Sequence, residues 1–353
     1  MLWAVLMAGG SGTRFWPESR ESRPKQFLSL FENKTLLEQT QNRLHPVIPK
    51  SRVLVITQSD KQNLVKKLLH LPAVQVIGEP VGRNTAPCAI LAARLLVAND
   101  PQAVMALLPA DHRIQKEKVF RDALQAAARI AMKTALPVTF GMKPSGPHPG
   151  YGYLEMGELF EKKRSFPIYR LKRFHEKPAA AKARRFYASG KFLWNSGIFV
   201  WKAGSLLAAA RKHLPEAVRL ADQIVNAGLK RGMEVFYRKM PHISIDYALM
   251  EPLAGQILTC PVDFGWSDVG SWESLREFIP TDPQGNVAAG KTFFIESSGN
   301  IVKSAGKLVV LMGMKNHLVV ETHDTLLICP VDKTQSIRHI VKELQNKNMR
   351  EYL

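Results

Sequence analysis

Gly9, Gly10 and Gly12, followed by Thr13, Arg14 and then Lys25, are the first residues whose types and spacing bear on chemistry. Glycines so placed let the backbone come close to a ligand and turn its amide N–H groups toward an anion. Arg14 and Lys25 add cationic donors, so the stretch suits the cradling of a polyphosphate. The alternative is a plain glycine turn between strand and helix, with both cations solvated. Two common phosphate loops do not fit. A P-loop needs a lysine directly after its last glycine, and a dinucleotide fingerprint starting at Gly10 would place its third glycine on Phe15.

Other polar residues stand at the ends of apolar runs. Asp111 follows Leu107-Leu-Pro109-Ala. A carboxylate at the tip of a buried strand facing a triphosphate is a natural Mg²⁺ ligand, because that ion takes one or two carboxylates plus phosphate oxygens. The plainer reading is a helix cap. In Glu79-Pro-Val-Gly82-Arg-Asn84-Thr85-Ala-Pro87, Gly82 permits a tight turn and Asn84 or Thr85 can cap the next helix. Glu176 and Lys177 lie just before Pro178, at the mouth of a helix that the proline opens. Asn195 interrupts the apolar run Phe192 to Trp201 and must bond either to backbone or to a ligand. Val262 to Trp272 sets Asp263 and Asp268 among tryptophans and glycines, which by itself reads as an aromatic-packed turn.

The elements that must position these groups alternate. Trp3 to Met7, Val53 to Ile56, Val74 to Ile77 and Val104 to Leu108 read as strands; Thr35 to Leu44, Lys61 to Leu69 and Thr85 to Val97 read as helices. That order predicts α/β architecture with a Rossmann-like, mostly parallel sheet, and ligands at the carboxyl ends of its strands. Ile168 to Phe174 reads as a further strand, and Ser244 to Glu251 as a capped helix. From Thr292 short apolar runs recur between Gly, Asn, Asp and Thr, predicting a small β unit closed by a helix from Ile337 to Leu344. Pro280, Pro283 and Gly285 mark a boundary near residues 275 to 290, giving domains 1–280 and 285–353.

Composition sets bounds. A chain of 353 residues with 46% hydrophobic and 22% charged content is ordinary for a globular protein with ample core. Cys88, Cys260 and Cys329 are far apart and form no metal-type pair or disulfide framework, which suits a reducing cytoplasm. The first strand leaves no room for a signal peptide after Met1, and no apolar run is long enough to span a bilayer. The net charge of +19 fits anionic small substrates, and nucleic acid or a membrane surface as well. The clusters Lys162-Lys-Arg164, Lys172-Arg173 and Arg184-Arg185 lack an aromatic-interleaved RNA motif, so a solvated basic face is the preferred reading.

The run A-G-G-x-G-T-R from Ala8 to Arg14, with Arg23-Pro-Lys25-Gln, resembles the signature of the sugar-nucleotide pyrophosphorylases. Phe15-Trp-Pro17 and Arg23 to Phe27 resemble its mannose-1-phosphate guanylyltransferase branch. G-R-N-T-A-P, L-P-A-D-H, Glu-Lys-Pro, Trp-Asn-Ser-Gly and W-x-D-x-G-x-W follow in the family's order over nearly the whole chain. The resemblance implies a GT-A-like nucleotidyltransferase domain and a C-terminal left-handed β-helix-like domain. It implies transfer of GMP from GTP to α-D-mannose 1-phosphate by Mg²⁺-assisted in-line attack on the α-phosphate, giving GDP-mannose and pyrophosphate.

Carried across residue by residue, the resemblance implies that Ala8, Gly9, Gly10, Gly12, Thr13, Arg14, Lys25, Asn84, Thr85, Pro109 and Asp111 hold the nucleotide. Asn84 would lie over the base, where an amide can both donate and accept. Arg14, Lys25, Asp111 and Asp268 form the implied catalytic set, with Asp111 and Asp268 as metal ligands. Lys177 would pair the sugar phosphate, Glu176 and Asn195 would bond sugar hydroxyls, and the Tyr151–Gly152 backbone would border the sugar. Ser244 to Glu251 resembles a family element near the sugar site. Two alternatives stand beside this. One is the same chemistry with another nucleoside triphosphate or hexose 1-phosphate. The other is a non-catalytic subunit that senses sugar nucleotides or binds nucleic acid, which need not keep both metal carboxylates. Some relatives carry a phosphomannose isomerase domain after the β tail; with the chain ending at Leu353, that activity is expected to be absent. A homodimer is compatible with the resemblance, and no membrane partner is implied.

Overall fold

The computed structural model describes residues 1–10, 12–162 and 166–353; Ser11 and most of the basic cluster Lys162–Arg164 lie outside the described residues. The chain forms two compact units. One comprises Met1–Gly9, Thr40–Ala110 and Ile114–Trp266, the other Gly10–Gln39, Asp111–Arg113 and Ser267–Leu353.

The first unit is built on a nine-stranded sheet. The runs β1 (Leu2–Ala8), β2 (Val53–Gln58), β3 (Val76–Glu79) and β4 (Val104–Pro109) pair in parallel in the order β3-β2-β1-β4. Their near-continuous burial is what a parallel sheet covered on both faces requires. Beyond β4 the order continues through Phe192–Lys202, Val138–Met142, Leu258–Pro261, Ile168–His175 and Tyr153–Glu161. Val138–Met142 and Leu258–Pro261 run parallel, while Phe192–Lys202 is antiparallel to β4 and Tyr153–Glu161 is antiparallel to Ile168–His175. The mostly parallel expectation therefore describes the first half, and the second half is mixed. The connection between Tyr153–Glu161 and Ile168–His175 is too short for a crossover, so only antiparallel pairing is open to them.

The expected strand from Val74 begins instead at Val76. Ala73–Gln75 is a short 3₁₀ turn, held because the Gln75 amide donates to the carbonyl oxygens of Lys50 at 2.6 Å and Val53 at 2.5 Å. The helix Thr85–Asn99 is alanine-rich, and Ala86, Ala89, Ala92 and Ala93 are fully buried. Small side chains let it pack closely against β1 and against the helices Ala203–His213 and Pro215–Asn226. No helix among the described residues is long and apolar enough to cross a membrane.

The second unit has its own core, in which Phe15, Trp16, Val269 and Trp272 join Ile301, Leu318, Ile337 and Val341. Its tail is β-helix-like. Val287–Ala289, Ile301–Lys303 and His317–Glu321 stack in parallel on one face, and Thr292–Ile295 and Val309–Met312 on another. Asn286 and Asn300, 2% and 0% exposed, occupy one corner of successive rungs, where Asn300 Nδ2 donates to Asn286 Oδ1 at 3.0 Å. Buried amides require such partners. Leu326–Pro330 ends the stack in antiparallel pairing, and the helix Ile337–Asn346 follows.

Candidate active site

In the second unit Gly12, Thr13, Arg14, Lys25, Asp111, Asp268 and Gly270 line one cavity of about 380 Å³. Gly12 has φ +63°, and a Cβ there would sit 2.2 Å from the Lys25 Cβ, so the turn and the lysine are mutually fitted. The next residues form a 3₁₀ turn, Thr13–Phe15, anchored by Phe15 against Trp272 with ring centroids 5.1 Å apart. Lys25 is 7% exposed. Its Nζ donates to Asp111 Oδ2 at 2.8 Å and to the Asp268 carbonyl at 2.6 Å. Lys25, expected as a cationic phosphate donor, is also a strut between Asp111 and the Asp268 backbone. Arg14 Nη1 reaches the Gly270 carbonyl at 3.4 Å, which leaves most of its guanidinium donors for a ligand.

Burial alone would raise the Asp111 carboxyl. The charges of Lys25 and His112 and the Lys25 hydrogen bond outweigh it and hold the group below its ordinary range, ionised as a metal ligand must be. Asp268 is accommodated by Gly270, where a Cβ would lie 3.1 Å from each of its carboxylate oxygens. Between them Val269, fully buried, has φ +47°, a strained conformation for a β-branched residue. Among the described residues no group of three or more His, Cys, Asp or Glu could hold a metal ion. Two carboxylates, with His112 on the same cavity but no such group of three, suit a cation that keeps water and phosphate oxygens in its shell better than a caged zinc.

In the first unit Glu176, Lys177 and Asn195 come together as expected, with company the sequence did not single out. Asn195 donates its N–H to the Gly152 carbonyl at 2.8 Å and its Nδ2 to Asp246 Oδ1 at 3.1 Å. Its Oδ1 accepts from the Thr139 hydroxyl at 3.3 Å and the Gly197 N–H at 3.2 Å. Lys177, at φ +42°, donates to the Glu176 carboxylate, and the Glu176 N–H donates to Glu251 Oε1 at 2.9 Å. A Cβ on Gly152 would fall 2.6 Å from Glu176 Oε2, so only glycine leaves that carboxylate in place. Tyr151 stacks on His148 at 4.3 Å and meets Trp194 edge-on at 4.7 Å.

The stretch Ser244 to Glu251, expected as a capped helix, is a single π turn over Asp246–Met250. The Glu251 N–H donates to the Asp246 carbonyl at 2.9 Å, and Asp246 meets Asn195 through its carboxylate. Such turns recur at functional sites. Burial, then the charge of Glu176, raise the Asp246 carboxyl well above its ordinary range, with Lys177 opposing. The stretch was expected near the sugar site by resemblance, but Asp246 itself was signalled only as an acid inside the otherwise apolar run Ile245 to Met250.

The remaining nucleotide candidates in the first unit close elements. Ala8 ends β1 and its carbonyl accepts from the Thr57 hydroxyl at 3.1 Å; Pro109 ends β4. Asn84, at φ +67°, caps the Thr85–Asn99 helix through its Oδ1, 2.8 Å from the Thr85 N–H. The Thr85 hydroxyl accepts from the Ile245 N–H at 2.9 Å. Asn84 therefore has capping work whatever else it does, and Thr85 ties the helix start to the Ile245 backbone. Beside Gly9, where a Cβ would lie 3.2 Å from Glu79 Oε2, the Glu79 carboxylate is 6% exposed and accepts from the Tyr237 hydroxyl. Burial pushes its carboxyl up to about 7, the Tyr237 bond acting the other way.

That shift makes a stability prediction. The unfolded group titrates at about 4.5 and the folded one at about 7, so the native state holds the extra proton and loses stability as pH rises through that window. Glu79→Gln keeps an acceptor for Tyr237 and removes the titration. The melting temperature of Glu79→Gln relative to wild type should therefore climb between about pH 5 and pH 8. A difference flat in pH would show that Glu79 does not titrate there.

The nucleotidyl transferase family model matches residues 3–285, and that of the MannoseP isomerase/GMP-like beta-helix domain matches residues 290–344. The mannose-1-phosphate guanylyltransferase of Klebsiella pneumoniae is 36% identical over 360 residues, covering 100% of this chain and 76% of that one. The protein of that name from Escherichia coli K12 is 35% identical, covering 99% and 75%. A crystal structure named mannose-1-phosphate geranyltransferase, from Thermus thermophilus, superposes with a TM-score of 0.88 at 32% identity, covering 98% of this chain and 99% of that one. By these matches the chain belongs to the nucleotidyl transferase family, in its mannose-1-phosphate guanylyltransferase branch.

Proposed function

We propose that the protein transfers GMP from GTP to α-D-mannose 1-phosphate, releasing pyrophosphate and forming GDP-mannose. The observation that carries this is the cavity on which the glycine turn, Arg14, Asp111 and Asp268 converge. The turn and Arg14 hold the triphosphate, and Lys25 fixes Asp111 against the Asp268 backbone. Asp111 and Asp268 would hold Mg²⁺, which when bound offsets phosphate charge. Lys177 exchanges its contact with Glu176 for the sugar phosphate, while Asn195 and Asp246 meet sugar hydroxyls. A phosphate oxygen of mannose 1-phosphate attacks the α-phosphorus as pyrophosphate leaves. No covalent intermediate with the protein is required, so the chain contributes positioning and charge. We take residues 1–280 as the catalytic domain and 285–353 as the β-helix domain. Three free cysteines fit a reducing cytoplasm.

A matrix of nucleoside triphosphates against hexose 1-phosphates, followed by pyrophosphate release, tests the assignment. GTP with mannose 1-phosphate should give the highest kcat/KM; equal turnover of ATP, UTP and dTTP would overturn the guanylyl assignment. Lys177→Ala should raise the KM for mannose 1-phosphate by about tenfold with little change in kcat, because its contact exists before and during reaction. Unchanged affinity for mannose 1-phosphate would remove Lys177 from the site.

A further inference from the structure

We propose that Arg338, in the first turn of the helix Ile337–Asn346, binds the terminal phosphates of the nucleotide and the pyrophosphate product, so that the C-terminal helix completes the triphosphate site. The proposal rests on the nucleotidyl-transfer reading above. Arg338 lines the same cavity as Arg14, Lys25, Asp111 and Asp268. Its backbone is held by the core that shapes that cavity. Ile337 and Val341, 1% and 9% exposed, pack with Phe15, Trp16, Val269 and Trp272. The helix lies against the Thr13–Phe15 turn, and beyond it Trp16 Nε1 donates to the Tyr352 carbonyl at 2.7 Å.

The charges on the cavity show what Arg338 adds. Lys25 is buried and its ammonium is paired with Asp111. Among the described residues that line the cavity, Arg14 and Arg338 are then the Lys or Arg side chains left to face a triphosphate. Arg338 is exposed, and among the described residues its guanidinium has no hydrogen bond or ion pair. A guanidinium offers a planar fork of donors that matches phosphate oxygens two at a time. Lys25 is buried, Asp111 and Asp268 are half-buried and Arg338 is exposed, so Arg338 stands on the solvent side of the cavity, and the proposal sets the β- and γ-phosphates and the departing pyrophosphate there.

The test uses the full chain and inorganic pyrophosphate with Mg²⁺ as the probe. Arg338→Ala should weaken pyrophosphate binding and raise the KM for GTP by about tenfold or more, the scale of a charge-assisted hydrogen bond. The KM for mannose 1-phosphate and the melting temperature should not move. Arg338→Lys should recover part of the loss. Lys342→Ala, which removes a charge from the same helix away from the cavity lining, should have no effect. Arg338→Gln, which keeps much of the stem, decides the matter should Arg338→Ala melt lower. Pyrophosphate affinity in Arg338→Gln within twofold of wild type, or an equal loss in Lys342→Ala, would overturn the proposal. A wild type that prefers another triphosphate would sink the guanylyl reading instead and leave the pyrophosphate result to decide the role of Arg338.

Discussion

Asp111→Asn and Asp268→Asn should each lose about 10³-fold in turnover, and they should differ in stability. Asparagine keeps the size of the side chain and removes the charge on which a divalent cation depends. Because the proposal gives both carboxylates to one ion, the double variant should turn over scarcely less than either single one. The stabilities part because of Lys25. In Asp111→Asn the buried ammonium keeps its carbonyl partner at Asp268 but loses its counter-ion, and an uncompensated buried charge is destabilising. Asp268 meets Lys25 through its backbone, so Asp268→Asn leaves that ion pair whole. Asp111→Asn should therefore melt below wild type and Asp268→Asn close to it. If the two acids were only turn and capping groups, activity would survive and both would melt lower. Melting temperature and Mg²⁺-dependent pyrophosphate release, measured on the same preparations, separate these cases. Full activity in either variant would end the metal role of that residue.

What the sequence made legible was local. Apolar runs bounded by glycine and proline placed β1, β2 and β4 within a residue or two of their observed ends, because burial on both faces leaves a continuous apolar signature. Apart from the short Val287–Ala289, the rungs of the tail were readable from their apolar runs between Gly, Asn, Asp and Thr, although Phe293, Val310, Leu326 and Ile328 on them are exposed. Groups defined by tertiary partners were not readable. Nothing near Lys25 in the chain tells that its charge is met by Asp111, since that ion pair exists only after folding. Ser244 to Glu251 was placed near the sugar site by resemblance, but the contact of Asp246 was hidden because a π turn and an ordinary capped helix share one residue pattern over so short a span. Arg338 looked like any exposed arginine on an amphipathic helix until the core behind Ile337 placed it on the cavity. The mixed half of the sheet escaped because strand direction depends on connections, and periodicity carries no direction.

Gly9, Gly10 and Gly12 look equivalent in the sequence, yet alanine should separate them sharply. Gly12→Ala should lose about 10²-fold in turnover and melt well below wild type. A left-handed backbone costs an L-residue about 1–2 kcal/mol. The larger effect is steric: a Cβ would stand 2.2 Å from the Lys25 Cβ and 2.8 Å from the Lys25 backbone nitrogen. Neither is the movable end of a side chain, so the lysine must shift as a residue. Its Nζ would then leave Asp111 and the Asp268 carbonyl, loosening both proposed metal ligands at once. Gly10 is the contrast. A Cβ there meets nothing within 4 Å, so Gly10→Ala should fold as wild type, and any loss of turnover in it reports a ligand that approaches the backbone. Gly9→Ala should fall between, with Glu79 Oε2 at 3.2 Å required to give way. Gly12→Asn divides the two causes at Gly12, since asparagine tolerates the left-handed region but still brings a Cβ. If overlap with Lys25 dominates, Gly12→Asn will be as impaired as Gly12→Ala; if backbone strain dominates, it will recover. Wild-type melting and turnover in Gly12→Ala would show that the loop relaxes without moving Lys25, and the strut role assigned to that lysine would fall with it.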